Sequence, residues 1–279
     1  KYDTRLFIQL HHPGRQGISA FIGGQPVVAP SAIPCTTVRQ ETRALEIEEI
    51  KAIEQKFIDG AVRAQKAGCD GVEVHAAHGY LVNQFLSPHT NKRTDEYGGS
   101  YENRMRFAVE IIQGIREACG PDFAVGVRIS GSEDLWFHNM DTEYIDVEES
   151  IRMCKDFEKL GVDFIDISRG TYESGNQTIE SVTYDQGCRR EMLKQIRDNL
   201  TVPTIGVSVI REPAVAEDFI ENGIVDFVSL GRAWIADPQW GNKAASGREK
   251  DIRRCIGCLY CAETENMGLG AGTPLKCAI

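Results

Sequence analysis

The chain has 279 residues, of which 42% are hydrophobic and 26% charged, as in a globular protein that buries a large core. Its formal net charge of -10 disfavours nucleic-acid and acidic-membrane partners, because both of these surfaces are negatively charged. No apolar run approaches the ~18 residues of a membrane span, and the first residues do not resemble a signal peptide.

Short β-branched runs alternate along the chain with longer amphipathic patterns, which predicts a parallel sheet covered by helices. The predicted strands are residues 6–10, 71–75, 124–130, 164–168, 204–209 and 227–230. The predicted helices are residues 46–67, 101–119, 146–160, 187–199 and 212–222. Glycines that end helices are expected at Gly68, Gly120, Gly161 and Gly223. Residues 16–45 are rich in Gly, Pro, Ser and Thr and predict a long loop.

The strand count bears on the fold class. Eight strands close a TIM barrel, whose phosphate sites lie in the loops after the seventh and eighth strands. If residues 227–230 form the eighth strand, the chain begins at the third. We therefore predict that residues 1–250 form a TIM (β/α)8 barrel without its first two strands, so that the sequence is a fragment. An open doubly wound sheet is the alternative, but no Gly-x-Gly-x-x-Gly follows any strand.

Four of the nine cysteines lie near the end of the chain: Cys255, Cys258, Cys261 and Cys277. Three closely spaced thiols with a remote fourth are a common iron–sulfur arrangement, whereas structural zinc more often uses two separate pairs. We predict a [4Fe–4S] cluster in residues 251–279, with zinc as the alternative. The odd cysteine count disfavours a disulfide framework, so we expect a cytoplasmic protein.

His75, His78 and Tyr80 lie together at the end of the second predicted strand. Barrel enzymes build their active sites at the carboxyl ends of strands. Two imidazoles there can donate hydrogen bonds to a carbonyl oxygen, and a nearby tyrosine can deliver a proton. The pattern therefore predicts a catalytic site that binds a carbonyl group. A His-x-x-His metal pair and a helix-capping role are the alternatives.

Residues 71–104 read GVEVHAAHGYLVNQFLSPHTNKRTDEYGGSYENR. This segment resembles the signature of the Old Yellow Enzyme family of FMN oxidoreductases. With the terminal cysteines, the chain is similar to the iron–sulfur branch, which includes 2,4-dienoyl-CoA reductases, enoate and bile-acid-type enone reductases, and trimethylamine dehydrogenase. The resemblance extends over nearly the whole chain. It implies an FMN-binding barrel and, beyond the cluster, a nucleotide-binding region that uses FAD and NAD(P)H.

The same resemblance assigns two contacts to the flavin ring. Gln9 matches the glutamine that hydrogen-bonds the flavin pyrimidine, although a buried amide can also serve only the barrel backbone. Arg128 matches the arginine beside the N1–C2=O edge, where positive charge stabilises the reduced flavin.

The resemblance also implies a phosphate site after the last two strands. Gly231 and Arg232 match the phosphate-contacting pair of the family. Ser208 and Val209 stand where the family usually has two glycines, whose backbone approaches the phosphate closely. The serine hydroxyl is expected to replace part of that contact.

The function that these features predict is reduction of the C=C bond of an enone or enoate substrate. In this prediction His75 and His78 hold the carbonyl oxygen and Tyr80 protonates the α-carbon. The first alternative is amine oxidation of the trimethylamine dehydrogenase type, and the second is a non-catalytic, zinc-stabilised barrel that binds a ligand. Homo-oligomerisation is left open.

Overall fold

The computed structural model describes residues 3–138, 142–268, 272 and 274–279 of the chain. Strands and helices alternate along most of this length. In chain order they are β1 (Phe7–Leu10), β2 (Val27–Ala29), β3 (Thr42–Ala44), α1 (Ile47–Lys66), β4 (Gly71–Ala76), α2 (Leu81–Leu86), α3 (Tyr101–Cys119), β5 (Ala124–Ser130), α4 (Val147–Lys159), β6 (Phe164–Ser168), α5 (Arg190–Arg197), β7 (Thr204–Val207), α6 (Pro213–Glu221), β8 (Phe227–Ser229), α7 (Arg232–Ala236), α8 (Trp240–Ala245) and α9 (Tyr260–Gly268).

Six of these strands form one parallel sheet in the order β1–β4–β5–β6–β7–β8. The six predicted strands and their parallel arrangement are therefore confirmed. The predicted loop of residues 16–45 contains an additional parallel pair, β2 and β3. Each of these strands has only three residues, which is too short for the alternation of polar and apolar side chains to be visible in the sequence.

The ends of the predicted helices are also confirmed in their main features. All four of the helix-terminating glycines have positive φ: Gly68, Gly120, Gly161 and Gly223. At the other end, the Ser100 hydroxyl caps α3 and the Asp146 carboxylate caps α4, and each accepts a backbone N–H of the first turn. These glycines end the helices, and the chain then turns into the next parallel strand.

The sheet has one apolar face and one polar face, because successive side chains of a strand point to opposite sides. The apolar face packs in the hydrophobic core with the helices and is buried; it consists of Val72, Val74, Ala76, Val125, Val127, Ile129, Ile165 and Ile167. The strand registers bring the other set of side chains onto the polar face: Gln9, Glu73, His75, Arg128, Asp166 and Ser168.

Aromatic rings close the polar face near the amino ends of the strands. Phe7 and Phe164 meet edge to face with their ring centroids 5.3 Å apart. A side chain at Gly71 would collide with Phe7, and one at Gly126 would collide with Phe164. Glycine is therefore required at both positions.

Strands β1 and β8 form the two edges of the sheet in the part of the chain that the structure describes. Both edges expose large apolar side chains: Phe7 is 40% and Phe227 is 58% exposed. A sheet of six strands with apolar edges matches the expectation of a barrel from which two strands are absent. No helix among the described residues is long and apolar enough to cross a membrane.

Candidate active site

The predicted catalytic residues are brought together at the carboxyl end of β4. The ring centroids of His75 and His78 are 5.1 Å apart, and those of His75 and Tyr80 are 4.8 Å apart. The His75 Nε2 and His78 Nδ1 atoms are 3.3 Å apart, within hydrogen-bond distance. The three side chains that the sequence places within six residues thus form one cluster.

A left-handed backbone turn orients His78. Its φ is 61°, and that of Gly79 is 76°. The His78 N–H donates to the Ser130 hydroxyl at the end of β5, and the His78 carbonyl accepts from the Gln16 amide; both bonds are 3.0 Å long. These bonds hold a residue other than glycine in a conformation that side chains rarely adopt, which is common at functional sites.

Both histidines are neutral at physiological pH. Burial, together with the positive charge of Arg128, lowers the pKa of His75 to about 3. Burial and Arg128 also hold the pKa of His78 well below its ordinary value. A neutral imidazole carries one N–H donor and one acceptor nitrogen, so each ring can donate one hydrogen bond.

Tyr80 is held between aromatic rings and one hydroxyl group. The His11 ring lies 4.1 Å from the Tyr80 ring, centroid to centroid. The Tyr80 and Tyr172 hydroxyl oxygens are 3.0 Å apart. Burial, with Tyr172, raises the pKa of Tyr80, so the phenol is protonated at neutral pH. Tyr172 was missed from the sequence because it follows β6, far from Tyr80 along the chain.

The polar face below this cluster carries Gln9 and Arg128. The Gln9 amide donates to the Glu73 carboxylate over 2.5 Å, so its side chain is already engaged with the sheet. The buried Arg128 Nε has no hydrogen-bond partner within the described residues, and Asp166 Oδ2 lies 3.6 Å from it. A buried N–H without a hydrogen-bond partner is compatible with the flavin contact predicted for Arg128, which stays a prediction.

The residues predicted to contact phosphate lie after β7 and β8. The Ser208 hydroxyl accepts the Arg189 N–H over 3.2 Å, and Val209 is buried. Gly231 has open space around its α-carbon. Arg232 donates to the Glu180 carbonyl, and the Glu180 carboxylate lies 3.8 Å away.

The fit to a phosphate is therefore mixed. Gly231 leaves room for an anion, but Glu180 already occupies the Arg232 guanidinium. Arg189 and Glu180, a buried ion pair that the sequence did not reveal, join Ser208 to Arg232. The roles of Ser208, Val209, Gly231 and Arg232 stay predictions.

The four terminal cysteines lie around the start of α9. Burial raises the pKa of the Cys261 thiol, and the neighbouring Cys255 acts in the same direction. The Thr264 hydroxyl accepts the Lys276 N–H over 3.1 Å, so Cys277 lies beside the helix that carries Cys261. The described residues include no group of three or more His, Cys, Asp or Glu side chains arranged to hold a metal ion. Together with Cys258, these thiols remain predicted cluster ligands.

The sequence profile of the NADH:flavin oxidoreductase / NADH oxidase family matches residues 1–251. The chain belongs to this family. This match confirms the resemblance to the Old Yellow Enzyme family and the (β/α)8-barrel class of fold. It also confirms that the family consists of flavin oxidoreductases.

Relatives in this family differ in their described activities. NADH oxidase from Thermoanaerobacter brockii is 45% identical over 257 residues, which are 92% of this chain and 39% of that protein. Cinnamate reductase from Clostridium sporogenes is 36% identical over 274 residues, covering 92% of this chain and 40% of that protein. The solved structure of histamine dehydrogenase from Rhizobium sp. 4-9 has a TM-score of 0.84 and 32% identity, and the match covers 95% of this chain and 38% of that one.

The chain spans about two fifths of the length of these two curated relatives. Family membership supports a flavin site, whereas the reaction of the native protein depends on the residues of that site.

Proposed function

We propose that the native protein reduces the C=C bond of an α,β-unsaturated carbonyl compound, an enone or an enoate. The observation that carries this proposal is the cluster of two neutral histidines and a protonated tyrosine at one strand end. Neutral imidazoles donate hydrogen bonds to a carbonyl oxygen without adding a buried charge. The tyrosine keeps the proton that reduction of the double bond requires.

Each residue of the cluster has a distinct role in this proposal. His78 binds and polarises the carbonyl oxygen, which stabilises the negative charge that develops there. His75, whose Nε2 lies 3.3 Å from His78 Nδ1, orients the His78 ring. Tyr80 donates its phenolic proton to the α-carbon. The His11 ring, packed against Tyr80, limits the orientation of the phenol.

We infer that Arg128 and Gln9 would hold FMN, which would supply the hydride when bound, and that NAD(P)H would be the reductant with FAD and a [4Fe–4S] cluster as carriers. Arg128 holds a positive charge with a buried, unpartnered N–H at this place. The family match supports a flavin, and cinnamate reductase among the relatives supports this class of substrate. We place the protein in the cytoplasm, without a nucleic-acid or membrane partner.

Amine oxidation is the rival function, because histamine dehydrogenase shares the fold at 32% identity. The Tyr80 and Tyr172 rings, 5.7 Å apart, offer aromatic surface of the kind that binds cations, and the charge of Glu265 acts on Tyr80. The two buried histidines favour a carbonyl ligand instead. A non-catalytic, zinc-stabilised barrel is disfavoured by membership of a flavin oxidoreductase family.

Anaerobic flavin spectroscopy of the full-length native protein separates these functions. We expect denaturation to release FMN, NAD(P)H to bleach the bound flavin, and an enoate such as cinnamate to restore its colour. An amine should leave the oxidised flavin unchanged. Bleaching by an amine, with no reoxidation by any enone or enoate, would establish the rival function.

The cluster prediction is tested by iron and sulfide assays on anaerobically purified protein. We expect about four iron and four sulfide per chain, because each ligand of the predicted site is a thiolate. Cys258→Ala should lose most of both, whereas Cys69→Ala, at a partly buried cysteine between α1 and β4, should keep them. Stoichiometric zinc without sulfide would contradict the prediction.

A further inference from the structure

A chain of hydrogen bonds runs through both histidines and ends at Ser168. The Ala77 N–H donates to His75 Nδ1 over 3.3 Å, and His75 Nε2 lies 3.3 Å from His78 Nδ1. His78 Nε2 lies 2.6 Å from the Ser168 hydroxyl oxygen. His75 and Ser168 are almost fully buried, at 5% and 2% exposure, so water does not compete with these bonds.

The direction of every hydrogen in this chain follows from the first donor. A backbone N–H can only donate, so His75 Nδ1 accepts, and a neutral His75 carries its hydrogen on Nε2. This hydrogen points at His78 Nδ1, which therefore accepts, and a neutral His78 carries its own hydrogen on Nε2. The His78 N–H then donates to Ser168. Both imidazole donors are thus occupied by protein groups.

Ser168 is held in place by a buried arginine. Arg189 Nη1 donates to the Ser168 hydroxyl oxygen over 3.3 Å. Arg189 is itself held by the Glu180 carboxylate and by the carbonyls of Gln177 and Thr178. Because an arginine has no acceptor atom, Ser168 accepts the Arg189 N–H in addition to the His78 N–H. The hydroxyl cannot turn away from His78 without breaking a bond in the protein interior.

We propose that Ser168 is a positioning residue that occupies the His78 Nε2–H until the oxygen of a bound ligand takes its place. The inference rests on the proposed carbonyl-binding role of His78 and deepens it. A ligand oxygen gains a hydrogen bond from His78 only by displacing Ser168. Loss of the His78–Ser168 hydrogen bond therefore reduces the net free energy of ligand binding. Ser168 thereby determines how strong a hydrogen-bond acceptor the ligand oxygen must be in order to bind to His78.

The test uses full-length, FMN-loaded protein and p-hydroxybenzaldehyde, an acidic phenol whose ionised oxygen mimics a polarised carbonyl. Ser168→Ala leaves the buried His78 N–H without its partner in the free protein. We expect the phenol to bind the variant roughly 5- to 100-fold more tightly than the wild type, as measured by the change in flavin absorbance. Unchanged or weaker binding would overturn the proposal.

Ser130→Ala is the matched control. Ser130 pairs with Ser168 in the sheet register and also ends its strand, but it contacts the main chain of His78 rather than the ring. The same loss of a hydroxyl should therefore give no tightening. Equal tightening in both variants would mean that the effect comes from general loosening of the site, and it would also overturn the proposal.

A second measurement does not require a ligand. In protein labelled with 15N-histidine, the His78 Nε2–H should give a downfield proton resonance that His78→Asn removes. We expect Ser168→Ala to shift or lose this resonance and Ser130→Ala to keep it. An unshifted resonance in Ser168→Ala would refute the inference. Failure of the proposed function is distinguishable, because the wild type would then bind no phenol and react with no enone even if this resonance behaved as expected.

Discussion

Reduced flavin in a Tyr80→Phe variant is expected to reoxidise with an enone about 10²–10⁴-fold more slowly than in the wild type, the usual range for general acid catalysis. Phenylalanine keeps the ring that packs against His11 and His75 but has no hydroxyl proton. Because burial raises the pKa of Tyr80, the wild-type residue is protonated throughout the neutral pH range. Reduction of the flavin by NAD(P)H should be unchanged, since this step does not use the phenol.

Stopped-flow absorbance of the full-length protein measures both half-reactions separately. Tyr101→Phe is the matched control, because the Tyr101 hydroxyl donates to Asp156 over 2.7 Å on the outer helices α3 and α4. It should reoxidise at the wild-type rate. A wild-type rate in Tyr80→Phe would mean that Tyr172 or water supplies the proton, and the assignment of Tyr80 would be wrong.

Replacing Arg15 by methionine is expected to lower the free energy of unfolding by about 3–5 kcal/mol, because it leaves a buried carboxylate without its charge partner. The Arg15 and Glu173 side chains form an ion pair and are 2% and 1% exposed. Glu173 also binds His89 and the Thr36 N–H, so one carboxylate joins the loop after β1 to the segment that carries Tyr172. The thermal unfolding transition of the full-length protein should therefore move to a lower temperature.

The pH dependence of stability checks the same pair. Burial alone would raise the pKa of Glu173, but the hydrogen bond from His89 and the charge of Arg15 lower it to about 2. A carboxyl whose folded pKa is depressed stabilises the protein above its ordinary pKa, and this stabilisation is lost as pH falls toward 2. In Arg15→Met, the free energy of unfolding should therefore fall less steeply as the pH is lowered toward 2.

Two further variants give the controls for this prediction. Arg43→Met breaks an exposed pair with Glu49, whose side chains are 47% and 38% exposed, and should cost no more than about 1 kcal/mol. The double variant Arg15→Met/Glu173→Gln should recover part of the lost stability, because no unpaired charge remains. A loss below about 1 kcal/mol in Arg15→Met would show that Glu173 is satisfied by its other donors.

The parallel sheet and the polar cluster at His75 were accessible from the sequence for local reasons. The β-branched runs alternate with amphipathic helices, and this periodicity depends only on neighbouring residues. His75, His78 and Tyr80 lie within six residues, so one strand end and one turn bring them together. The alternation along β4 also places Glu73 and His75 on the same face.

The partners of these residues were not accessible, because they come from distant loops. Ser168 contacts His78, and Tyr172 contacts Tyr80, across 90 and 92 positions of the chain. Loops have no periodicity from which the direction of a side chain can be read. The buried pairs of Arg15 with Glu173 and of Arg189 with Glu180 likewise join segments that only the fold brings together.

The sequence by itself determined the class of fold, the family and the residue types of the site, because all three follow from short-range patterns in the printed chain. Only the tertiary structure decided which donors of the site are already in use. Burial makes His75 and His78 neutral, and the Ala77 N–H, which can only donate, directs the His75 hydrogen toward His78 and the His78 hydrogen toward Ser168. This sequence of hydrogen-bond donors and acceptors depends on distances between strand ends and loops, and no local sequence pattern encodes those distances.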